Sequence, residues 1–170
     1  MALQNKDSNK QGVSTMDAST FSHFVKIIYD QSGITLRQGK ESLVSARIAR
    51  RMRALGIADS REYLRHVVED GTGQEIVHLI DSISTNVTSF FREPYHFEVA
   101  GNQITKWAAS GQNSFKIWSA ASSTGEEPYS LAIIMQEVLG TKVADARILA
   151  TDISTRVLDK GREGRYVAEK

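Results

Sequence analysis

Apolar residues recur every three or four positions through residues 17–83, and beyond that point short apolar runs alternate with helical stretches. Phe21, Phe24, Val25 and Ile28 share one helical face behind cap candidates at Asp17 to Ser19, and Ser32-Gly33 stops that helix. A second helix is predicted over 40–55, with Val44, Ile48, Met52 and Leu55 on one face and Gly56 as its stop. Ser60 is expected to cap a third, which carries Tyr63, Leu64, Val67 and Val68 and is ended by Gly71 to Gly73. A fourth covers 74–83, with Ile76, Leu79, Ile80 and Ile83. Together these predict a small all-α domain over 17–84, preceded by a polar, disordered tail at 1–16.

The second part differs in kind. A helix near 94–109 leads through Gly111 to a strand at 115–121, a helix at 126–139, a strand at 147–151 and a helix at 154–162. Strand–helix–strand order implies parallel strands joined by crossover helices, so 94–170 reads as the first part of an α/β domain. Residues 85–93 form the junction between the two domains. A doubly wound sheet usually has more strands, so the chain is expected to be the front of a longer protein.

Composition narrows the function classes. Hydrophobic residues make up 41% and charged residues 24%, as in an ordinary globular chain, and the net charge of +1 supplies no field for nucleic acid or anionic membranes. With no cysteine, disulfides and thiolate metal sites are excluded; His23, His66, His78 and His96 form no ligand spacing, so no metal is expected. A polar N-terminus and the lack of a long apolar stretch favour a cytoplasmic protein without membrane insertion.

The candidate chemistry sits where strand meets helix. Residues 119–125 are almost all small, and Glu126, Glu127 and Pro128 open the next helix. Small residues let backbone approach a nucleotide-like ligand, and a helix N-terminus normally attracts phosphate. Here it carries two acids, which repel a pyrophosphate, and the three-glycine dinucleotide pattern is missing. The acids suit a cofactor with a positive group and no phosphate, such as S-adenosylmethionine; their alternative role is to complement the helix dipole. Asp152 follows the second apolar run, about 25 residues after Glu127, near where a dinucleotide fold places its ribose-gripping acid. Its alternative role is to cap the next helix, which Ser154 serves equally well.

Two further clusters stand out. In the junction, Asn86, Thr88 and Arg92 interleave with Val87, Phe90 and Phe91; the apolar members are expected to anchor the segment and the polar ones to face a cleft. Arg92 is suited to bidentate binding of a carboxylate, or is simply a solvated turn residue. On the second helix, Arg47, Arg50 and Arg53 are expected opposite the apolar face as an exposed basic ridge, with Arg51 on the flank. That ridge suits an acidic partner helix, or is an ordinary solvated face.

Three stretches together resemble the CheR-type chemotaxis receptor methyltransferases: Asn-Val-Thr-Ser-Phe-Phe-Arg-Glu at 86–93, Trp-Ser-Ala-Ala-Ser-Ser-Thr-Gly-Glu-Glu-Pro-Tyr-Ser-Leu-Ala at 118–132, and Ala-Thr-Asp-Ile-Ser at 150–154. The opening Phe24 to Leu36 and the Arg-rich helix are similar to that family's N-terminal domain. The resemblance implies a Rossmann-like, S-adenosylmethionine-dependent protein-glutamate O-methyltransferase. It implies a substrate in the cytoplasmic helical domain of methyl-accepting chemotaxis receptors, with glutamate methyl esters and S-adenosylhomocysteine as products. Position by position, it implies cofactor contacts at Asn86, Thr88, Arg92, Glu127 and Asp152, a catalytic orienting role for Arg92, and receptor docking through Arg47, Arg50 and Arg53. The family's further strands, its Cys-Arg-Asn-Val-type motif and its inserted β-subdomain lie beyond this sequence. The enzyme is expected to be monomeric.

A glutamate substrate is already ionised at neutral pH, so the absence of a Ser/His/Asp or Cys/His set is no objection. Alternatives are a non-catalytic receptor- or cofactor-binding module, a dinucleotide oxidoreductase, which the acid pair disfavours, and a nucleic-acid binder, which the net charge disfavours.

Overall fold

The computed structural model describes residues 16–36, 39–140 and 145–167, which fall into two compact units divided after Ile83. The expected disordered tail lies, apart from Met16, outside the described residues.

The first unit is helical: α1 (Ala18–Ser32), α2 (Glu41–Leu55), α3 (Ser60–Glu69) and α4 (Gln74–Ile83). Its core joins Phe24 and Ile28 of α1, Val44, Ile48 and Met52 of α2, Tyr63 and Val67 of α3, and Leu79 and Ile83 of α4. These are the residues that the helical periodicity places inward. Asp17 caps α1 by accepting the Thr20 amide at 2.9 Å, and Gly33 ends it with φ 71°, where a side chain would be strained.

Three details depart from the sequence reading. The cap of α3 is Asp59, whose Oδ1 accepts the Arg61 amide at 2.8 Å, rather than Ser60, because Asp59 holds the extended backbone of a cap while Ser60 is already helical. The helix stops at Asp70, before the glycines, and Asp70 turns to accept the amides of Thr72 and Glu75 at 3.0 and 2.7 Å. Val68 faces solvent, while Tyr63 and Val67 of α3 are buried in the core and Leu64 packs against it.

A polar network crosses the helical core. Arg51 of α2 clasps the buried Glu75 of α4 through two hydrogen bonds, at 2.9 and 2.6 Å, and Tyr63 of α3 donates to the same carboxylate at 2.7 Å. Burial pushes the Tyr63 phenol upward, and its hydrogen bond to Glu75 adds to this. Burial would likewise raise Glu75, but Arg51 and Tyr63 outweigh it and hold the carboxyl below its ordinary range.

The second unit contains α5 (Pro94–Ala109), β1 (Ser114–Ala120), α6 (Glu126–Leu139), β2 (Asp145–Thr151) and α7 (Thr155–Glu163). β1 and β2 are parallel, in register from Ser114 opposite Asp145 to Ala120 opposite Thr151. Ile104, Phe115, Met135 and Leu139 form the core between α5, β1 and α6, with Ile117 and Ile148 packed against it. Phe115, Ile117 and Ser119 alternate along one face of β1, and that alternation sets the direction in which Ser119 points at the strand's end. Gly101 permits α5 to lie close on α6: a Cβ there would stand 3.2 Å from Ile134 Cγ2. The described residues thus form a small all-α unit followed by an α/β unit with two parallel strands.

Candidate functional site

The candidate residues gather around the C-terminal ends of β1 and β2, the side on which open α/β sheets generally bind ligands. The loop from Ala121 to Gly125 turns sharply between β1 and α6. Ala121 and Ser123 both hold left-handed backbone, with φ 63° and 49°, an uncommon state for residues with side chains. Hydrogen bonds over-determine that turn. The Ser122 amide donates to Thr151 O at 2.9 Å, the Ser123 amide to Asp152 Oδ2 at 2.8 Å, and the Gly125 amide to Ser122 O at 3.0 Å.

Asp152 is half-buried and bridges two turns, because its other oxygen accepts the Ser154 amide at 2.8 Å. Each carboxylate oxygen therefore keeps one further lone-pair direction for an outside donor. Ser154 occupies the cap position of α7, yet its buried hydroxyl has no partner among the described residues; Asp152 accepts the Ser154 amide, just before the helix begins.

Glu127 is exposed, and its Oε1 accepts the hydroxyl of buried Ser119 at 2.7 Å, which aims the carboxylate back toward the end of β1. Glu126 turns the other way and accepts Thr124 Oγ1 at 2.6 Å. The two adjacent acids are thus separated by function: Glu126 ties the loop, and Glu127 borders the strand ends.

The junction segment belongs to this unit. Asn86 is half-buried, and its carbonyl accepts Ser123 Oγ at 3.2 Å, so Ser123 joins Asn86 to Asp152. Thr88 is half-buried beside it in sequence. Arg92 is exposed and donates through Nη1 to Val87 O at 2.7 Å, closing the 87–92 turn with one of its five N–H groups. The Phe91 amide donates to Ser130 Oγ at 3.0 Å, docking the segment on α6. Phe90 and Phe91 anchor it by edge contacts with Tyr166 and Phe97. Val87 is no anchor: it is 72% exposed, and only its carbonyl is used.

The basic ridge lies in the helical unit and needs correction. Arg50 and Arg53 are exposed, but Arg47 is half-buried and its guanidinium donates to the Ile83 carbonyl at the end of α4. At 100° per residue, Arg47 sits only about 60° from Val44, on the edge of the apolar stripe rather than opposite it.

Gly125 also has a different reason from the expected one. At φ 100°, a Cβ there would stand 2.6 Å from the Tyr166 hydroxyl and 3.0 Å from Gly161 Cα, so internal packing, not ligand approach, requires glycine. Sequence reasoning missed Ser119, Ser130 and Tyr166. Ser119 was detectable as a small polar residue at an inward strand position, but nothing local marks Tyr166.

Comparison with known proteins settles the family. Residues 86–170 match the model described as CheR methyltransferase, SAM binding domain, and residues 19–84 match CheR methyltransferase, all-alpha domain. The chain belongs to the CheR methyltransferase family. It is 39% identical over 150 residues to the chemotaxis protein methyltransferase of Escherichia coli K12, covering 88% of this chain and 51% of that protein. It is 36% identical over 175 residues to the chemotaxis protein methyltransferase of Borreliella burgdorferi, covering 98% of this chain and 62% of that protein. The Salmonella typhimurium LT2 protein of the same name is 38% identical over 146 residues. The chain spans about half the length of these enterobacterial relatives.

The residues present fit S-adenosylmethionine, the cofactor of the matched CheR domain. Three loop amides are already spent on Thr151, Asp152 and Ser122, so they offer no cradle for a pyrophosphate. What borders the strand ends is a pair of carboxylates, Glu127 and Asp152, with acceptor capacity for ribose hydroxyls and for a cationic group.

Proposed function

We propose that the protein to which this chain belongs methylates glutamate side chains on the cytoplasmic helical domain of methyl-accepting chemotaxis receptors, giving glutamate methyl esters and S-adenosylhomocysteine. The observation that carries this reading is the pair Glu127 and Asp152 at adjacent strand ends, beside a loop whose amides are used internally. S-adenosylmethionine, when bound, supplies a methyl group on a sulfonium.

In this reading Asp152 accepts ribose hydroxyls through its remaining lone pairs, while Ser123 and Ser154 hold it still. Glu127 presents the oxygen that Ser119 does not use to a hydroxyl or cationic edge of the cofactor. Arg92 keeps donors beyond its bond to Val87 and steers a carboxylate, either of the cofactor or of the substrate. Asn86, whose carbonyl Ser123 holds, and Thr88 contribute further cofactor contacts from the junction segment. No general base is needed, because the attacking glutamate is ionised at neutral pH. The residues have only to align carboxylate and methyl at about 3–3.5 Å and exclude water. Arg50 and Arg53 offer a basic face to an acidic receptor bundle, with Arg47 at its edge. The enzyme acts as a cytoplasmic monomer.

The test is calorimetric titration of S-adenosylhomocysteine into the full-length protein, with methyl transfer from labelled cofactor to receptor cytoplasmic fragments alongside. Wild type is expected to bind, and Glu127→Ala to bind about tenfold more weakly or worse, as for loss of a charged hydrogen bond. Label in receptor fragments should be released by mild base, as an ester is. Unchanged affinity in the variant removes Glu127 from the site, and base-stable label removes glutamate as the acceptor.

A further inference from the structure

Tyr166 lies just past α7, in no helix or strand, yet it touches three of the segments that build the candidate site. Its hydroxyl donates to Thr124 O at 2.8 Å, inside the loop after β1. Its ring meets Phe90 of the junction segment edge-on, with centroids 4.8 Å apart and planes at 85°. It also packs edge-on against Tyr129 of α6, at 5.7 Å and 74°. Tyr129 in turn donates to Gly161 O at 3.1 Å, which brings in α7. The space beside Gly125 is filled by the Tyr166 hydroxyl itself.

We propose that Tyr166 is a positioning residue for cofactor binding: its hydroxyl sets the Thr124-Gly125 peptide, and its ring sets Phe90, so that Ser123, Glu127 and Asn86 are presented together. This rests on the cofactor reading given above. The physical argument concerns strain. A loop with two non-glycine residues in left-handed backbone persists only where its surroundings over-determine it. Ser122 and Ser123 are held from the β2 side by Thr151 and Asp152. Thr124 and Gly125 are held from the opposite end by Tyr166, and by nothing else outside the loop and α6 that the described hydrogen bonds show. Burial, with the Glu126 carboxylate and Tyr129 nearby, pushes the Tyr166 phenol upward, which keeps it a donor at neutral pH. The same side chain reaches the Asn86 segment through Phe90, and Ser123 Oγ reaches it through Asn86 O. Loop and junction are therefore coupled twice, once on each side.

The test compares Tyr166→Phe, which removes only the hydroxyl, with Tyr166→Leu, which removes the ring as well, in the full-length protein. Two readouts are taken: amide hydrogen exchange at Ser122, Ser123 and Gly125 without cofactor, and affinity for S-adenosylhomocysteine. Tyr166→Phe is expected to speed exchange at these amides and weaken binding about 5–10-fold, with the melting midpoint nearly unchanged. The maximal methyl-transfer rate should stay closer to wild type than the cofactor KM does. Tyr166→Leu should lose further affinity through the freed Phe90. Wild-type exchange and wild-type affinity in Tyr166→Phe would overturn the proposal. If the wild-type protein itself fails to bind the cofactor product, the cofactor reading falls. Exchange then decides whether Tyr166 positions the loop: acceleration at the three amides upholds that part, and no change overturns it.

Discussion

The Ser123 amide donates to Asp152 Oδ2 at 2.8 Å, across 29 residues of chain. This bond fastens the turn after β1 to the residue just past β2, and it fixes an acidic group at the one edge of the sheet where such folds bind ligands. Asp152 therefore has a structural role that precedes any cofactor.

That role makes Asp152→Asn informative. Asparagine keeps one acceptor oxygen but places an NH2 group against the second amide. We expect destabilisation of about 1–3 kcal/mol, the usual range for a buried donor left without its acceptor. Urea unfolding of the full-length protein, without cofactor, measures it; an unchanged midpoint would mean the Asp152 bridge contributes nothing to the fold.

Gly125→Ala should be destabilising for reasons unrelated to ligand. The new Cβ meets the Tyr166 hydroxyl at 2.6 Å, and the backbone stands at φ 100°. The cost is expected to be about 1–3 kcal/mol, from left-handed strain plus displacement of Tyr166. Combining it with Tyr166→Phe should recover part of the loss, since the hydroxyl is the nearest obstacle. Denaturation of both variants and the pair gives the coupling directly.

The arginines of α2 should separate by their roles. Arg50→Glu and Arg53→Glu replace exposed residues and should change stability by no more than about 0.5 kcal/mol. In the proposed reading both weaken capture of receptor fragments, more so at low salt. Arg47→Ala instead loses a hydrogen bond to Ile83 O and should cost about 1 kcal/mol. Equal behaviour of all three in unfolding and fragment binding would contradict this division.

Acid should loosen the helical unit through its turn carboxylates. The Thr20 amide, with its hydroxyl, holds Asp17 down to about 2, and the Glu75 and Thr72 groups hold Asp70 down to about 2, from an ordinary value of 3.8. A carboxyl depressed on folding stabilises fully above its unfolded value, and the gain disappears as pH falls toward its folded value. Stability should therefore drop between about pH 4 and pH 2, and Glu75, also held low, adds to the loss in the same direction. Thermal midpoints across this range, in wild type and Asp70→Asn, provide the measurement: the variant should show the shallower slope.

The helices of the first unit were legible because their apolar positions repeat with the helical period and their ends carry Asp17, Gly33 and Gly56. Both strands and α6 were legible for the same kind of reason. Caps and flanks were less so. Asp59 and Ser60 are both good cap residues side by side, and only the backbone path chooses between them. The helical wheel puts Arg47 at the edge of the apolar stripe, but only the tertiary structure brings the Ile83 carbonyl of α4 to that edge.

By itself, the sequence determined the order of elements, the acids at 127 and 152 and the small residues between the strands and helices, because periodicity and residue chemistry are local properties. The tertiary structure alone decided how those acids are held. Ser119 aims Glu127, Ser123 and Ser154 fasten Asp152, and Tyr166 occupies the space that makes Gly125 necessary. Each of these contacts joins different elements or loops through a hydroxyl, an amide or a ring. Such pairings depend on where folding brings the chain back upon itself, which no local pattern encodes.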